Sequence, residues 1–141
     1  MKKLIFLLLL APFFSFAQQI NVSDLGKKNF REVENAHTIS PCEVTGGKVL
    51  SYCVQDGSRI SYLFVNELLN GIMTMTSFST QYAAERELEK EISERESTLG
   101  IEPFISGGKT MFNTLSSPIY MSYSVDKVNN TYYLICYIAK K

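Results

Sequence analysis

Few side chains in this chain are of a type and spacing that could do chemistry. His37 is the sole histidine among 141 residues. A serine or cysteine nucleophile would need it as base, and only Cys42 lies near it in sequence. A disulfide at Cys42 and a surface imidazole at His37 account for both residues more simply than a dyad. A zinc site needs three or four thiolate or imidazole ligands at close spacing. One histidine with scattered Cys42, Cys53 and Cys136 does not supply that.

Ser106-Gly107-Gly108-Lys109-Thr110 is the nearest approach to a phosphate-binding loop. The first glycine of that motif would fall at Pro103, and a strand pattern follows where a helix is required. The segment reads instead as a hairpin turn. Paired carboxylates for glycoside hydrolysis must face one cleft. Glu43, Asp56, Glu67, Glu102 and Asp126 fall at turns or strand ends, and nothing in the sequence brings two of them together. The expectation is therefore no catalytic residue, no metal and no cofactor, with a hydrolase using unlocated carboxylates kept as a minor alternative.

The three cysteines carry a different chemistry. An odd number permits one bridge and leaves one thiol. Cys42 and Cys53 flank Gly46-Gly47, so their encounter is local. Counting outward from that turn opposes Cys42 to Ser51, so this bridge needs a bulge or an offset turn. Cys53–Cys136 would instead tie the halves of the chain together, and the absence of any bridge is the third possibility. Such a bond persists in an oxidising compartment.

Export to such a compartment is expected from the first 17 residues. Lys2 and Lys3 precede an apolar run from Leu4 to Phe14, broken by Pro12, and Ser15-Phe16-Ala17 offers small residues for cleavage. The run is shorter than the roughly 20 residues a membrane span requires. The expected division is a signal peptide over 1–17 and one α+β domain over 18–141, secreted or periplasmic, with no stable membrane insertion after cleavage. Without Lys2 and Lys3, 12 basic residues face 14 acidic ones, a net charge of −2. Such a surface has no broad attraction for nucleic acid.

The elements that would position these residues are legible from periodicity. Thr80 to Leu99 predicts an amphipathic helix, with Ala84, Leu88, Ile92 and Leu99 on one stripe, charged residues elsewhere and Gly100 as terminator. Six strands are predicted over Lys48–Val54, Arg59–Val65, Gly71–Phe78, Lys109–Leu115, Ile119–Val125 and Thr131–Ile138. Each is rich in β-branched or aromatic residues and bounded by turn chemistry, including Asp56-Gly57 and Asn70-Gly71. The triplets align at an offset of 61 residues: Gly46-Gly47-Lys48 falls on Gly107-Gly108-Lys109, and Ser61-Tyr62 on Ser122-Tyr123. The same offset maps the long helix onto a weaker amphipathic segment, Val22 to His37. The predicted fold is a two-layer α+β domain: a six-stranded antiparallel sheet with two helices on one face, built from a pseudo-duplicated α-β-β-β unit.

Two helices cover one face of a sheet, yet several strands are apolar on both sides. Thr131–Ile138 sets Tyr132, Leu134, Cys136 and Ile138 against Tyr133, Ile135 and Tyr137. A solvated face should alternate cleanly. The second face is therefore expected to bind a protein partner or an apolar ligand, with Tyr120, Tyr133, Ile135 and Tyr137 as its contact residues. Tyrosine suits such a role because its ring is large and its tip polar. A structural protein that homodimerises through the same face is the alternative.

Overall fold

The computed structural model describes residues 20–54, 57–113 and 117–141. The expected signal segment, Asp56 and the expected strand residues Thr114 and Leu115 lie outside these. The sheet has eight strands rather than six. They are β1 (Glu43–Thr45), β2 (Val49–Cys53), β3 (Arg59–Val65), β4 (Leu68–Phe78), β5 (Phe104–Ser106), β6 (Lys109–Phe112), β7 (Ile119–Val128) and β8 (Thr131–Lys140). Their order is β1-β2-β3-β4-β8-β7-β6-β5, antiparallel throughout. Two four-stranded meanders thus meet at the β4–β8 seam. The two additional strands, β1 and β5, are three-residue exposed edges. Such short edges carry no alternation from which a strand could be read.

The long helix, α2, runs Gln81–Leu99. Thr80 caps its N-terminus by accepting from the Ala83 N–H at 3.2 Å, and Gly100 closes it in the left-handed region at φ 66°. The apolar stripe differs from the expected one at its end. Arg95 is 2% exposed, whereas Leu99 is exposed. Position 95 continues the Ala84, Leu88, Ile92 face at helical spacing, so this cation is carried under the helix rather than into solvent.

The first helical segment is not continuous over Val22–His37. A 3-10 turn covers Val22–Asp24, and α1 covers only Phe30–Asn35. Gly26, at φ 76°, breaks the path between them, and its N–H bonds to the Leu69 carbonyl at 2.6 Å. Asn29 then restarts the helix with a reciprocal cap, accepting from the Glu32 N–H while its own N–H donates to the Glu32 carboxylate.

Cross-strand register fixes the faces. Leu50, Tyr62, Ile72, Ile138, Met121 and Phe112 are successive partners and form one row across six strands. They belong to the buried core together with Val33 of α1 and its C-cap Ala36, and Leu88 and Ile92 of α2 pack against it. Both helices therefore cover the same face. Full burial of a Leu or Ile side chain contributes about 1.5–3 kcal/mol, so this row is the main apolar support of the fold.

The 61-residue offset survives only in part. Tyr62 and Tyr123 share the helix face, and Ser61 and Ser122 the other, as that offset implies. Leu63 pairs with Gly71, whereas Ser124 pairs with Ile135, which stands 64 residues beyond Gly71. The turns account for the slip, because Asn66-Glu67 and Asn129-Asn130 lie 63 rather than 61 residues apart, and the register shift between Leu63 and Phe64 offsets one residue of it. The hairpin turn is Asn66-Glu67, with φ 51° and 68°, rather than Asn70-Gly71.

Candidate functional site

The face opposite the helices is crossed by a second row of partners: Glu43, Ser51, Ser61, Met73, Tyr137, Ser122, Met111 and Phe104. Beside it run Met75 with Ile135, Ser77 with Tyr133, and Tyr120 with Ala139. The register places all four expected contact residues, Tyr120, Tyr133, Ile135 and Tyr137, on this one face. Each is half-exposed, as are Leu63, Met73, Met75 and Met111. Among the described residues, no helix lies over them.

The local arrangement has a clear physical cause. Gly71 is the only residue type that leaves room for the Tyr137 ring: a Cβ there would lie 2.7 Å from the phenol oxygen. The ring thus rests against the β4 backbone and meets Tyr120 edge-on, with centroids 5.9 Å apart. Burial raises the Tyr137 pKa, so the phenol stays neutral. Serines flank the middle of the bulky β4–β8 seam on both sides. Ser61, Ser122 and Ser124 are buried opposite Met73, Tyr137 and Ile135, with buried Ser51 beyond Ser61. Ser51 and Ser61 bond to each other at 2.7 Å, and Arg59 donates to Ser51 at 2.9 Å while pairing with Glu43. The result is an uncharged apolar ridge two strands wide, flanked by serines and by two charged residues, Arg59 opposite Met75 and Asp126 opposite Tyr133.

The remaining tyrosines divide differently. Tyr52, Tyr62 and Tyr123 are buried on the helix face. His37 stacks on Tyr52 with centroids 3.9 Å apart, its Nδ1 lies 2.9 Å from the Val33 carbonyl, and its Nε2 lies 3.0 Å from the Tyr62 hydroxyl. A carbonyl only accepts, so Nδ1 carries the proton and Nε2 accepts from Tyr62. Desolvation lowers the His37 pKa, against the raising effect of the Val33 bond. This imidazole fastens α1 to the sheet, and the Cys42–His37 dyad is not formed because Cys42 is disulfide-bonded.

The bridge is Cys42–Cys53, with Cα atoms 5.8 Å apart. The β1–β2 connection is three residues, Gly46-Gly47-Lys48, between Thr45 and Val49. That extra residue shifts the register by one from a two-residue count and brings Cys42 toward Cys53. Cys136 is the free cysteine. It lies on the helix face opposite Tyr123. Arg95 Nε donates to the Tyr123 hydroxyl at 3.2 Å. Desolvation pushes the Cys136 thiol up to about 12 and raises the Glu91 carboxyl, the latter opposed by Arg95. Residue type groups Arg95 with the charged positions of the helix, whereas its phase relative to Ile92 is the signal that points inward.

Gly107-Gly108 forms the β5–β6 turn, at φ 59° and 76°, and no helix follows it. Among the described residues no group of three His, Cys, Asp or Glu side chains could hold a metal ion, and no helix is long and apolar enough to cross a membrane. No known family model matches the chain, nor does any curated protein or solved structure.

Proposed function

We propose that the protein is an exported, non-enzymatic binding protein that uses the sheet face opposite its helices to hold a protein partner or an apolar ligand. The observation that carries this reading is the half-exposed ridge of Met73, Met75, Ile135, Tyr133 and Tyr137, over which no helix of the described residues lies. Contiguous apolar patches of this kind mark interaction sites on soluble proteins. Methionine and tyrosine also supply adaptable and amphipathic contact area. The Cys42–Cys53 bridge supports residence in an oxidising, secreted or periplasmic compartment after removal of residues 1–17. We read the two meanders, each preceded by a helical segment, as a duplicated unit that places this ridge at its centre.

Self-association through the same face is the second reading, favoured by the absence of charge along the ridge, which lets two copies approach without repulsion. Light scattering on the wild type and on a Tyr133→Ala/Tyr137→Ala variant separates the two. A monomeric wild type that still captures a partner supports the first. A dimer that the double substitution dissociates supports the second. A wild type that neither dimerises nor captures anything removes both.

A further inference from the structure

A cleft of about 810 Å³ lies away from that ridge, where α1, the Gly46-Gly47-Lys48 turn and the Asn66-Glu67 turn converge. Its size is within the range of small-molecule sites. Phe30 and Phe64 supply its aromatic lining, with ring centroids 5.2 Å apart. Phe64 is anchored in the core at 6% exposure, and Phe30 packs against that core, so this part of the lining is held in place rather than swept by loop motion. Arg31 and Lys48 also line the cleft, and neither is among the ion pairs of the described residues. Glu67 is the single acidic lining residue.

We propose that this cleft binds a small amphiphilic monocarboxylate. Its apolar body would lie against Phe30 and Phe64, and its carboxylate would meet Arg31 and Lys48. Charge complementarity selects the class. Two cations against one carboxylate leave one positive charge to neutralise, which a monoanion does and a neutral apolar molecule does not. Glu67 disfavours a dianion such as a phosphate ester. The planar guanidinium of Arg31 also suits the two oxygens of a carboxylate. The Gly46-Gly47 turn borders open space, since even an added Cβ at either glycine meets nothing within 4 Å. This site is independent of the sheet face proposed above.

The test uses hexanoate and its neutral isostere hexanamide, titrated into the disulfide-bonded protein while backbone amide shifts are followed by NMR. Hexanoate should move the amides of residues 29–31, 46–48 and 64–67 saturably, and hexanamide should bind several-fold more weakly. Arg31→Ala and Lys48→Ala should each weaken hexanoate by roughly three- to fivefold, as expected of exposed charges, and leave the hexanamide response unchanged. Both positions are exposed, so the variants should unfold at the wild-type temperature. Equal binding of the two probes, shifts confined to the sheet face, or no shift at all would each overturn the proposal.

Discussion

Met73 and Tyr137 stand directly opposite one another across the β4–β8 seam, at the middle of the sheet face that carries no helix. Tyr137 lies down against Gly71 because that position has no side chain. The seam therefore presents a ring face, a thioether and the neighbouring Met75 and Ile135 to the outside of the fold. The first prediction follows from that ring's seat. Gly71→Ala places a methyl where the Tyr137 ring lies, so it should displace the ring and destabilise the protein by about 1–3 kcal/mol. Chemical denaturation of the variant checks this, and an unchanged midpoint would mean the ring does not occupy the position found.

Thiol counting addresses the cysteines. Under denaturing, non-reducing conditions one reactive group per chain is expected, Cys136. In the folded state it should react slowly, because its pKa of about 12 leaves little thiolate at neutral pH. Cys53→Ser should cost about 2–4 kcal/mol by releasing the loop that the bridge closes. Three reactive groups, or a silent Cys53→Ser, would remove the bridge.

The His37 latch gives a pH dependence of definite sign. Its folded pKa lies below the 6.5 of the unfolded chain. The unfolded state therefore binds more protons as pH falls through 6.5, and stability declines from there until the folded imidazole also titrates. Above that window the contribution is fully present. Thermal midpoints measured from pH 8 to 5 should fall for the wild type and fall less for His37→Gln. Parallel curves would contradict the assignment.

The fold and the face were unequally legible in the residues. Helix α2 could be read because its caps and apolar stripe agree, and strands β3, β7 and β8 because β-branched and aromatic runs end at turn residues. Edges β1 and β5 could not be read, since three exposed residues carry no period. The break at Gly26 required knowing that its N–H finds Leu69. Alternation within β7 and β8 singles out Tyr120, Tyr133, Ile135 and Tyr137, but it does not show how the faces of separate strands combine. Only the register places Tyr120, Tyr133 and Tyr137 on one face and Tyr52, Tyr62 and Tyr123 on the other. The cleft beside Phe30 joins three segments distant in sequence and leaves no local signature.

Beneath α2, Tyr123→Phe tests the buried polar contact. Removing the hydroxyl takes away the group that accepts from Arg95 Nε and should cost about 1–3 kcal/mol. Urea denaturation reads this directly. A neutral result would place the contribution of Arg95 in its aliphatic stem.

On the function proposed above, the Met73–Tyr137 face is occupied when the protein does its work. Native mass spectrometry of the protein isolated gently from its native cells, with Met75→Lys as the comparison, checks this. A wild-type species heavier than one chain, by a second copy, a partner or a small molecule, is expected, and a bare chain for the variant. A bare, monomeric wild type, or an added mass that Met75→Lys leaves in place, would contradict it.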